Sequence, residues 1–91
     1  MPPKSIKWAL VRVLEDLTKR DFESFCFMLV DRREEPRIRR YRVEGKNIFD
    51  VVDILVSTFT EKGALEVSEQ ILRQIDCNES AEVLVKEVTG S

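Results

Sequence analysis

Ninety-one residues with 43% hydrophobic content, three glycines and three prolines are enough for one packed core, which excludes a two-core chain and an intrinsically disordered one. The formal charge is −2 and there is no histidine, so the commonest general base and metal ligand at neutral pH is missing. Two cysteines without CxxC spacing argue against a zinc site and against the disulfide framework of small secreted domains.

In chain order, the start Met-Pro-Pro-Lys lacks the apolar centre of a signal peptide, and no apolar run approaches the ~18 residues that cross a bilayer. A cytoplasmic chain with no membrane partner is expected. Ser5 is a plausible N-cap for a first helix over about 5–17, with Ile6, Leu10, Val13, Leu14 and Leu17 at helical spacing. Thr18 caps a second, with Asp21 three positions on and Phe22, Phe25, Cys26, Leu29 and Val30 along one face to about residue 30. The join is so short that these two helices should pack as neighbours. Phe22 and Phe25 read as core. Met28, Trp8 and Phe27 lie at the margins of their stripes, and core packing is expected for them too.

Pro36 fixes its own φ and biases Glu35 away from helix, so residues 31–38 should be loop. Residues 39–45 offer Ile38, Tyr41 and Val43 as anchors for a short third helix. Asn47 then caps a fourth, in which Ile48, Val51, Val52, Leu55, Val56 and Phe59 recur at helical intervals and the adjacent apolar pairs rule out strand alternation. A fifth follows Thr60 through Ala64, Leu65, Ser68, Ile71, Leu72 and Ile75, with Asn78 placed to close it. A sixth spans about 79–88, carries Ala81, Leu84, Val85 and Val88 on one face, and is punctuated by Gly90. The expected fold class is an all-α antiparallel bundle of five firm helices and one weak turn.

Charge is unevenly distributed along the chain. Residues 31–46 carry +3, residues 47–91 carry −6 and residues 1–30 carry +1. Unlike patches on one small body suit association with copies or relatives, the mark of an assembly module more than of an enzyme. No phosphate loop, nucleophile elbow or spaced carboxylate pair points to a catalytic residue, and no cofactor is implied. Arginines interleaved with Tyr41 over 37–42 allow a nucleic-acid reading of the 32–46 segment, which the sequence pI of 5.2 and the acidic second half oppose.

Taken in order, Leu14-Glu-Asp-Leu17, Phe22, Phe25, Leu29, Glu35-Pro-Arg-Ile38, Leu55-Val56 and Ile71-Leu-Arg-Gln-Ile75 resemble the pyrin domain over almost the whole chain. The stretches Asp31-Arg-Arg-Glu-Glu-Pro-Arg and Asp76-Cys-Asn78 are most similar to pyrin domains of fish inflammasome proteins. The resemblance implies a six-helix death-fold with a short third helix behind a long loop. It further implies homotypic binding to pyrin domains of adaptor, receptor or caspase proteins, filament nucleation, inflammasome assembly and caspase-1-type activation. A pyrin-only regulator that caps filaments is the alternative, and the chain is expected to be the N-terminal domain of a longer protein.

By the same resemblance an acidic face would comprise Glu15, Asp50 and Asp53, with Asp16 beside them. The basic face would comprise Arg37 and Arg40, with Arg39 and Arg42 in support. Helix 2 departs from the family's usual lysines by carrying Glu23 and Met28, the latter an apolar group near the interface, and Asn47 replaces a common acidic residue. These changes shift the expectation from self-assembly towards an adaptor carrying the more usual charges.

Overall fold

In a computed structural model, residues 5–89 are described and form α1 (Ile6–Glu15), α2 (Lys19–Asp31), α3 (Arg40–Val43), α4 (Ile48–Gln74) and α5 (Asn78–Thr89). Local chemistry sets the helix starts. The Trp8 N–H donates to Ser5 Oγ at 3.1 Å, the Asp21 N–H to Thr18 Oγ1 at 3.1 Å and the Asp50 N–H to Asn47 Oδ1 at 2.9 Å, so each expected cap is made. Gly90 lies outside the described residues.

Five helices replace the expected six because the fourth and fifth run on as one element, broken at Thr60. Thr60 has φ 66° and ψ 172°, a region essentially reserved for glycine, while its Oγ1 accepts from the Gly63 N–H at 3.3 Å and caps the second limb. The two limbs are the two expected helices. At the far end, the Cys77 N–H donates to the Leu72 carbonyl at 2.7 Å and the Asp76 N–H to the Arg73 carbonyl at 3.2 Å. This pattern closes α4 around Asp76 at φ 64°, not around Asn78, which begins α5. A left-handed residue with a Cβ is strained there, so Asp76→Gly is expected to raise stability by about 1 kcal/mol, seen as a higher urea midpoint at unchanged slope.

One core unites the elements. Leu10, Leu14, Phe25, Leu29, Leu55 and Leu72 are all at most 1% exposed. α1 packs against α4 and α5, whereas α2 and α3 both pack principally on α4. The first two helices therefore do not lie mainly against one another: the join comprises Asp16, Leu17 and Thr18, and the Asp16 and Leu17 N–H groups still bond back to Val13 and Leu14. α3 is as short as expected, held by buried Ile38 and Val43, but Tyr41 is 73% exposed and anchors nothing. Trp8 and Phe27, expected in the core, are 51% and 59% exposed. Phe25 is fully buried, while Phe22 is only half-buried against the core.

Candidate protein-docking site

Because α2 and α3 both use α4 as their support, the space between α2 and the 31–46 segment stays open as a groove of about 970 Å³. Phe22, Cys26, Phe27, Val30 and Val43 supply its apolar surface. Lys19, Arg33, Arg37, Arg40 and Lys46 supply five cations, against the carboxylates of Glu23, Asp31 and Glu44. Burial, and then the nearby Glu23 carboxylate, push the Cys26 thiol up to about 11, so at neutral pH it lines the groove as an uncharged, weakly polar group.

The four arginines singled out by sequence do not act as one cluster. Arg37, Arg39, Arg40 and Arg42 are all exposed, and none is in an ion pair among the described residues. Only Arg37 and Arg40 face the groove. The loop's internal pinning falls to Arg32, which lies over the Phe59 ring at 5.1 Å from its centroid and reaches Glu34 at 3.5 Å. The cationic surface is thus left facing water. Met28 does not belong to the groove; it is half-buried against the core and borders a separate depression with Arg32, Gln70 and Gln74. Its helical neighbour Phe27 occupies the groove wall instead. Sequence spacing put both at the stripe margin, and only the absence of a covering helix distinguishes them.

The acidic candidates fall into two places. Glu15 and Asp16, exposed at the end of α1, border a depression with Glu79 and Ser80 of α5. Asp50 and Asp53 are exposed in the opening turns of α4, and Asp53 is ion-paired with Lys7 of α1. Lys7 and Glu15 are eight positions apart on α1, about 12 Å along its axis, so the two acidic pairs mark opposite ends of one helix. Asp50 makes no ion pair among the described residues. Beside these carboxylates stand two exposed aromatics that the sequence reading did not assign to a site, Trp8 on α1 and Phe49 on α4 at 57% exposure. Exposure of a large ring next to a charged patch was their only available signal, and it needs coordinates.

Among the described residues no group of three or more potential metal ligands comes together, and no helix is long and apolar enough to cross a membrane. The arrangement offers docking chemistry, with separate cationic and anionic surfaces and apolar groups beside both.

The sequence profile of the PAAD/DAPIN/Pyrin domain matches residues 9–82. Over 84 residues the chain is 38% identical to zebrafish (Danio rerio) "Apoptosis-associated speck-like protein containing a CARD" and 42% identical to zebrafish "Caspase a". Each alignment covers 91% of this chain, but only 41% and 22% of the respective relative, so the chain spans less than half the length of either. Its backbone is similar to the solution structure of the pyrin domain of human Pyrin, with a TM-score of 0.86 at 27% identity, covering 96% of this chain and all of that one.

Proposed function

The chain belongs to the pyrin domain family, and on that footing we propose that it works as a homotypic interaction module, joining pyrin domains of adaptor, receptor or caspase proteins into inflammasome-type signalling complexes. The observation that carries this reading is the free cationic groove wall formed by Arg37 and Arg40, on a body that also presents the unpaired carboxylate of Asp50. One exposed ion pair contributes only about 0.2–1 kcal/mol, so specificity has to come from an array of charges set beside apolar contact. When unlike surfaces of one body fit one another, each union leaves a free surface at both ends. Growth into a filament follows unless the ring closes.

The likeness to an adaptor-type and a caspase-type relative supports partners that carry the same domain, with signalling towards caspase activation in the cytoplasm. Negative-stain microscopy of the purified domain, alone and mixed with an adaptor pyrin domain, tests this function. Filaments, or faster filament growth from the adaptor, are expected. Shortened adaptor filaments would instead favour a capping regulator, and no effect on the adaptor together with no assembly alone would contradict the proposal.

A further inference from the structure

Phe49 is an exposed ring held on a rigid support. It occupies the second position of α4, immediately before Asp50 and one helical turn before Asp53, in a first turn fixed by the Asn47 cap. The helix turns Val51, Val52 and Leu55 into the core and leaves Phe49 outside. Only three residues separate it from Lys46 on the groove rim, yet Phe49 does not line the groove of its own chain. Its ring is therefore available to another molecule.

The groove has the complementary composition. Helix 2 contributes Glu23 to its wall, and its one cation there is Lys19, so positive charge comes mostly from Arg33, Arg37, Arg40 and Lys46 around an apolar surface of Phe22, Cys26, Phe27 and Val30. A surface built this way fits an apolar side chain flanked by carboxylates better than it fits a carboxylate alone. Phe49 followed by Asp50 is such a group, and the volume of about 970 Å³ leaves ample room for a phenyl ring. Desolvated aromatic anchors within a charged rim dominate many protein interfaces.

We propose that Phe49 of one copy inserts into the groove between α2 and α3 of a second copy, with Asp50 set against Arg37 and Arg40. This rests on the pyrin–pyrin reading above and adds to it the residue that anchors self-association. Insertion compensates for the positive charge that helix 2 lacks, and because ring and groove are distinct surfaces of one chain, the contact repeats from copy to copy.

Sedimentation velocity of the purified domain over a concentration series tests the insertion, with circular dichroism and urea midpoints confirming the fold of each variant. Phe49→Ala should raise the concentration needed for self-association at least about tenfold, and Phe27→Glu, at an exposed position of the groove wall, should do the same. Phe49→Met, which keeps an apolar side chain, should stay within about threefold of wild type. Wild-type association by Phe49→Ala or Phe27→Glu, with loss in Asp50→Arg, would overturn the insertion while leaving the charge-based reading standing. A loss in Phe49→Met as large as in Phe49→Ala would overturn apolar anchoring. Failure of the wild-type chain to self-associate at any concentration would also overturn it, whereas wild-type association by all of these variants, Asp50→Arg included, would defeat both readings.

Discussion

Asp50→Arg is expected to raise the concentration required for assembly at least about a hundredfold while leaving helix content and the urea midpoint unchanged. The carboxylate is exposed and unpaired by any cation among the described residues, so its replacement removes no internal attraction. Its backbone N–H, not its side chain, receives the Asn47 cap, and that bond survives substitution. The cost to folding is limited to a first-turn carboxylate's interaction with the helix dipole, about 0.3–1 kcal/mol. At an interface the same change replaces attraction by like-charge repulsion against Arg37 and Arg40, which costs several times more. Arg40→Glu should behave alike from the other side, because Arg40 is exposed, lines the groove and has no internal ion pair among the described residues. Sedimentation together with urea unfolding separates loss of docking from loss of fold.

The opposite outcome is expected for Phe25→Ala. This ring is fully buried within the set formed by Leu10, Leu14, Leu29, Leu55 and Leu72, and its removal leaves a cavity that small-bundle packing closes only in part. The expected loss is about 3–5 kcal/mol, against a total of roughly 5–15 kcal/mol for a domain of this size. A large fall in urea midpoint with little change in slope is the signature. Any docking defect in Phe25→Ala should track its unfolded fraction, in contrast to Asp50→Arg. Phe25 and Phe27 are two positions apart on α2, and one maintains the fold while the other faces the groove.

That pair shows what was legible in the sequence. Ser5, Thr18 and Asn47 announced their helices because a cap is a local hydrogen bond, written in residue type and spacing. The loop at Pro36 and the helical reading of Val51, Val52 and Leu55 were legible for the same reason, as was the family. Backbone geometry at Thr60 and Asp76 was not, since a positive φ at a residue with a Cβ is imposed by the elements on either side, against local preference. Apolar pattern also failed to separate Phe25 from Phe27, or Val43 from Tyr41, because a stripe's margin is covered only if a neighbouring helix reaches it. Among the arginines, residue type is uninformative. Arg32 is held by Phe59 while Arg37 and Arg40 face water, and the Lys7–Asp53 pair links two helices far apart in sequence.

Asp53 illustrates the consequence for the acidic face. Its charge is already partly met within the chain by Lys7, so the free carboxylate beside the exposed ring is that of Asp50. Charge count alone treats the two as equals, whereas the fold ranks them.

Mixing Arg40→Glu with Asp50→Arg tests the central claim most directly. The first variant keeps the intact acidic surface and the second keeps the intact basic groove, so sedimentation should show each alone as a monomer and the equimolar mixture as pairs joined through one unaltered contact. Two variants that remain monomeric when mixed, or that each assemble like wild type alone, would contradict docking through two complementary surfaces of one small helical domain.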